Sequence, residues 1–136
     1  MITEYLDLAD YIAVAQAVTG LDLRTVMNAT NHDLADSALH APSAGIGDTD
    51  FYPGFVDKAS VLVVRLARNH PLPDGNKRAA WVSLRLFVDI NGREWTPQPS
   101  TDEAEAAVLA IAAGEWDEAA TANWLRHYLQ PAGATD

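Results

Sequence analysis

The chain has 136 residues, 49% of them apolar, with a formal charge of −10 at pH 7 and no cysteine. That length suits one domain able to bury a core, and the apolar content excludes wholesale disorder. The acidic balance argues against direct nucleic-acid binding, and the missing cysteines exclude disulfides and thiol catalysis.

No apolar stretch approaches membrane-spanning length, and the N-terminus has neither a basic region followed by an apolar run nor a cleavage site. The expectation is a cytoplasmic protein with no membrane attachment. The cations are unevenly placed: seven of the nine lie between Lys58 and Arg93, which predicts a local positive pocket in an acidic body.

Leu8 to Val18 carries apolar residues at helical spacing (Leu8, Ile12, Ala15), with Asp7 as N-cap and Gly20 as stop. A short helix follows over Leu23 to Ala29. Asn31-His32-Asp33 caps a third helix, which runs through Leu39 and is ended by Pro42. His32 and His40 read as surface or cap residues. Ala44 to Gly54 lacks helical periodicity and holds three glycines, two aspartates, Phe51, Tyr52 and Pro53, the composition of a mobile loop or short hairpin. Val56 to Asn69 is amphipathic, with Ala59, Leu62, Val63 and Leu66 on one face.

Next comes His70-Pro71-Leu72-Pro73-Asp74-Gly75-Asn76-Lys77-Arg78. Pro71 and Pro73 fix φ and cannot continue a helix, and Asp74-Gly75 is turn chemistry. The helical pattern resumes at Asn76, so the amides of roughly Gly75 to Arg78 are the unpaired donors of a helix N-terminus, which bind anions, phosphate above all. Lys77 and Arg78 sit at the end of that helix where the dipole disfavours cations, an arrangement that makes sense if an anionic ligand belongs there. A His able to act as base near neutral pH and an Asp able to hold a divalent metal suit phosphoryl or nucleotidyl transfer.

Ala79 to Ile90 is apolar nearly all round and is expected to be the central buried helix, capped by Asn91-Gly92. Arg93 to Thr96 reads as a short extended piece. Ser100 with Glu103 forms a capping box for a helix to about Ala113, which Gly114 ends. The last helix runs from Asp117 as N-cap to Leu129, with Pro131 as terminator, and Trp116, Trp124, Leu125 and His127 are read as structural.

On the His70–Arg78 residues the chain resembles the Fic/Doc superfamily, whose signature reads H-x-F-x-D/E-G-N-G/K-R. With Lys77 in place of Gly it is most similar to the Doc (death-on-curing) toxin branch of type II toxin–antitoxin systems. The similarity extends from about Tyr5 to Leu129 in helix order and in Asn91-Gly92. Two positions depart from the pattern: Leu72 replaces the usual Phe, and Trp81 stands where AMP-transferring relatives carry a second Arg for the nucleotide's terminal phosphates.

The resemblance implies an all-α fold: a compact Fic/Doc-type bundle around a helix at about 76–91, forming one domain over 1–130 with a disordered tail at 131–136. It implies a flap near 44–54, with Gly47, Asp48, Phe51 and Tyr52 docking the target's acceptor segment. It implies a kinase that moves the γ-phosphate of ATP to a Ser or Thr of an elongation factor Tu class protein and so stops translation. His70 would be the base and Asp74 the Mg²⁺ ligand. Lys77 would join Gly75, Asn76, Arg78 and Arg68 around the phosphates, so the catalytic set reads His70, Asp74 and Lys77. Such toxins are held off by a small cognate antitoxin. The self-inhibitory pattern of other relatives, S/T-x-x-x-E-G/N, is missed here because Ala106 follows Thr101 to Glu105, so control is expected from a partner chain. Two alternatives remain: an AMP or other nucleotidyl transferase acting on a protein hydroxyl, and a catalytically silent interaction module.

Overall fold

A computed structural model describes residues 2–130, so the tail predicted at 131–136 lies outside the described residues. The helices start where short polar side chains can satisfy their first amides. α1 (Leu8–Thr19) opens on a reciprocal capping box between Asp7 and Asp10 and closes on Gly20 at φ 73°. α2 (Leu23–Ala29) opens on Asp22 and α3 (His32–His40) on Asn31. Further along, α6 (Thr101–Ala112) has the expected Ser100/Glu103 box, and α7 (Glu118–Arg126) opens on Asp117. The two helices that meet at the motif differ. α4 (Phe55–Asn69) and α5 (Asn76–Ile90) begin after glycines, Gly54 and Gly75, with no side-chain cap.

Two of these caps carry a pH signature. The Thr25 backbone amide holds the Asp22 carboxyl below its ordinary range, and the Ser100 amide, then the Tyr128 hydroxyl, do the same for Glu103. A depressed folded-state pKa contributes stability that is present above the ordinary carboxylate value and lost as pH falls through the folded one. Thermal unfolding followed downward from neutrality should therefore show a falling Tm across the carboxylate range. The slope should be shallower in an Asp22→Asn/Glu103→Gln variant, whose caps do not titrate; an unchanged slope would remove these caps from the acid response.

α4 and α5 share the centre. α4 buries Lys58 to Val64, Leu66 and Ala67, because α3, α5, α6 and α7 all pack around it. α5 buries Ala79, Ala80, Ser83, Leu84, Phe87 and Val88 and takes α1 on another side. The C-terminal half is fastened to α5 by an aromatic chain. Trp81 lies 5.5 Å from Trp95 and 6.2 Å from Trp124, and Trp124 lies 5.9 Å from Trp116 and 4.7 Å from Tyr128. Each such pair adds on the order of 1 kcal/mol to simple burial. Asn91, at the end of α5, clasps the N-terminal segment: its Oδ1 accepts from the Glu4 amide at 2.8 Å and its Nδ2 donates to the Glu4 carbonyl at 2.9 Å.

Two local expectations take definite form and one changes. α3 ends at His40, ahead of Pro42, which lies in the 3-10 turn Ala41–Ser43 that follows. The aperiodic stretch resolves into the hairpin β1 (Gly45–Ile46) and β2 (Thr49–Asp50), with Gly47 at φ 60° in its turn. The last helix ends at Arg126 rather than Leu129, because β4 (Leu129–Gln130) pairs antiparallel with β3 (Glu94–Trp95) and the Thr96 amide donates to Tyr128 O at 2.6 Å. Among the described residues no helix is long and apolar enough to cross a membrane.

Candidate active site

The motif loop is built at the α4–α5 corner, and its conformation is held from both sides. His70 ends α4 in the left-handed region (φ 52°, ψ 58°), as the sole non-glycine with positive φ among the described residues. His is one of the side chains that tolerate this region, and the cost, of order 1 kcal/mol, persists only where the surroundings enforce it. They do so here. The Asn31 amide donates to Pro71 O at 2.7 Å, and Asn69 Nδ2 donates to Leu34 O at 3.1 Å, so the first part of the loop is tied to the start of α3.

Asn76 ties the second part. Its side chain is buried; Oδ1 accepts from the Leu72 amide at 2.9 Å, and Nδ2 donates to the Leu72 carbonyl at 2.8 Å. The same Nδ2 lies 3.4 Å from His70 Nδ1, a long contact that lightly orients the ring. Leu72, in the position of the usual Phe, is 5% exposed and joins the main core cluster, so it still anchors the loop.

Gly75 completes the turn at φ 82°, and a Cβ there would stand 3.2 Å from Val18 Cγ1 at the end of α1. Gly75→Ala therefore combines a left-handed alanine, about 1–2 kcal/mol, with crowding against α1. The expected outcome is a lower Tm with α5 pushed away from α1, readable by thermal unfolding and by weakened anion binding; an unchanged Tm would mean that α1 yields freely.

Beyond Gly75 the first turn of α5 opens into a groove of about 1290 Å³. Its walls come from the end of α1, the motif from Pro73 to Arg78, the α5 face with Trp81 and Arg85, the segment from Gln98 to Thr101, and α6. Asp74, Lys77 and Arg78 are exposed at one end, and none has a side-chain hydrogen bond or ion pair among the described residues. The charge distribution supports the predicted positive pocket. Of the nine cations, Lys58, Arg65 and Arg126 pair with carboxylates, Arg68 is bound by carbonyls and Arg93 lies 4.6 Å over the Phe55 ring. Three of the remaining four, Lys77, Arg78 and Arg85, line this groove, with Asp74 and Glu105 as its carboxylates.

The sequence-predicted residues do not all converge. His70 borders the groove through Asn76 without lining it. Arg68 turns away from the motif: its Nε donates to Ile111 O at 3.0 Å and its Nη2 to Trp116 O. The Ile111 carbonyl in the last turn of α6 and the Trp116 carbonyl in the loop after it hold the guanidinium in place of the expected phosphate contact. The amide of Asn76 is likewise engaged by Leu72, which leaves its backbone N–H for a ligand.

The hairpin residues stand apart from the groove. Gly47, Asp48 and Phe51 are exposed, and Phe51 and Tyr52 line a smaller hollow with Asp57, Ser60 and Glu118. The hairpin is footed on the bundle by two contacts at 3.2 Å: buried Lys58 with Asp50, and the Tyr52 hydroxyl with Glu118. Burial, then the Glu118 charge, raises the Tyr52 pKa. No group of three or more His, Cys, Asp or Glu that could hold a metal occurs among the described residues.

Arg85 is the site residue that the sequence reading missed. Its signal was available, because it follows Arg78 by seven positions and so shares one face of a helix.

A model of the Fic/DOC family matches residues 5–88, which include the whole motif. The chain is also 36% identical over 115 residues to Toxin Doc of Mycolicibacterium smegmatis, a similarity that covers 85% of each chain. By both measures the chain belongs to the Fic/DOC family.

Proposed function

We propose that the protein is a Doc-type toxin of a type II toxin–antitoxin module: a cytoplasmic kinase that transfers the γ-phosphate of ATP to a Ser or Thr of an elongation factor Tu class protein and so blocks translation. The observation that carries this reading is the uncapped N-terminus of α5, where Asp74, Lys77 and Arg78 stand unpaired at the mouth of a large groove beside a strained histidine. The similarity to Toxin Doc supports the toxin role, with a small cognate antitoxin as the controlling partner.

In this reading the amides of Gly75 and Asn76 and the side chains of Lys77 and Arg78 hold the phosphates. Asp74 suits Mg²⁺, which takes one or two carboxylates and completes its shell with water and phosphate oxygens. With one carboxylate at the motif, and no larger ligand cluster among the described residues, the metal would arrive with the nucleotide, where it neutralises charge on the phosphates. His70 takes the acceptor hydroxyl's proton. A base needs a bare ring nitrogen, and the long contact between Nδ1 and Asn76 costs little to give up when the exposed ring turns. The acceptor segment is docked by the hairpin, whose exposed strand edges suit backbone pairing.

AMP transfer is the second reading. It is favoured by Arg85, which supplies a further groove cation one turn beyond Trp81.

The test uses purified protein, Mg²⁺ and a lysate containing elongation factor Tu, with ATP labelled in parallel at the α- or γ-phosphate. Transfer from the γ-position alone is expected. Label from the α-position would replace the kinase by an AMP transferase. Nucleotide binding without transfer of either label would favour the silent interaction module.

A further inference from the structure

Arg78, Trp81 and Arg85 follow one another along a single face of α5, and all three line the groove. At 1.5 Å per residue the two arginines are about 10 Å apart along the helix axis. That is further than a phosphate chain seated on Lys77 and Arg78 requires. Between them, Trp81 is half-buried and backed by Trp95 and Trp124, neither of which lines the groove, so the free side of its indole is the groove side. Arg85 is exposed and has no intramolecular partner among the described residues, in a chain that carries ten more negative than positive charges. An exposed, unpaired guanidinium on the groove wall of so acidic a body is a local positive site open to a ligand in that groove.

We propose that Trp81 and Arg85 form a nucleoside subsite: the base lies against the Trp81 indole and beneath the Arg85 guanidinium, while the phosphates occupy the start of α5. A guanidinium and an indole are both flat and polarisable, and each stacks on a base of any identity. The nucleotide then lies along α5 with its phosphates at the N-terminus and its base toward the C-terminus. Trp81, already fixed by two neighbouring tryptophans, loses no rotamer freedom when the base arrives. The inference rests on the nucleotide reading above and assigns residues that lie outside the motif.

The test compares Mg²⁺-ADP with Mg²⁺-pyrophosphate, which carry the same number of phosphates and differ by the nucleoside. Binding is measured by calorimetry on the wild-type protein and on Arg85→Gln, an exposed substitution that leaves the core intact. Arg85→Gln should weaken ADP about tenfold, in line with a desolvated cation–π contact, and leave pyrophosphate unchanged. Tryptophan fluorescence should be quenched saturably by ADP and not by pyrophosphate, and Trp81→Phe should remove most of that quenching while keeping a stacking surface.

An equal loss for both ligands would make Arg85 a phosphate contact and overturn the subsite. Unchanged ADP binding in Arg85→Gln would overturn it as well, while leaving nucleotide binding itself intact. Failure of the wild-type protein to bind either ligand would overturn the nucleotide reading and this inference with it.

Discussion

Replacing His70 by asparagine is expected to abolish phosphoryl transfer while leaving the fold and nucleotide binding intact. The choice of asparagine follows from the backbone. His70 sits at φ 52°, ψ 58°, and asparagine is among the residues that adopt this conformation readily. It keeps a polar group near Asn76 and removes the basic ring. General-base catalysis typically contributes about 10²–10⁴-fold, so the rate of γ-label transfer at saturating Mg²⁺-ATP should fall by that order. The Tm should hardly change, because His70 is exposed and outside the core. A variant that transfers label at the wild-type rate would remove His70 from the chemistry and leave it as a helix cap.

Asn76→Ala should have the largest effect on stability. Its amide satisfies both backbone groups of Leu72, which is 5% exposed, so truncation leaves a buried N–H and a buried C=O without partners. Each orphaned group costs about 1–3 kcal/mol. The expected result is a Tm lower by several degrees and a loop that no longer holds its shape. Transfer should fall more than ATP affinity, since Lys77 and Arg78 are placed by α5 itself while His70 depends on the loop. Equal losses in transfer and affinity would mean that Asn76 holds the ligand directly. An unchanged Tm would show that Leu72 finds other partners or water. Asn91 makes the same clasp on Glu4 at the far end of α5, so the central helix is fixed at both ends by an asparagine gripping another segment's backbone.

The family match ends at residue 88, yet one whole wall of the groove lies beyond it. Thr101, Ala104, Glu105, Val108 and Leu109 of α6 face the motif, and the tryptophans that back Trp81 come from β3 and α7. The signature lies at one end of the groove. The C-terminal half sets how far the groove extends and what it can hold.

The sequence by itself determined the helices and the motif, because both are local. Asp7, Asn31, Ser100 and Asp117 each cap the helix that follows them within three residues, and Gly20 ends one by its own φ. The motif's proline, glycine and cation pattern likewise states its own turn and its uncapped helix start.

Only the tertiary structure decided the outcomes that hang on distant partners. Arg68 is one residue from the loop's edge, yet carbonyls 43 and 48 positions away claimed it. The helical pattern of the last helix continues to Leu129, but pairing with Glu94–Trp95 drew Leu129 and Gln130 into a strand. Arg85 received no role from the sequence, and only the groove walled by α1 and α6 gives its helix face one to consider. Periodicity and capping are properties of neighbours in sequence. Which donor meets which carbonyl, and which face stays open, depends on how the seven helices of residues 2–130 settle against one another.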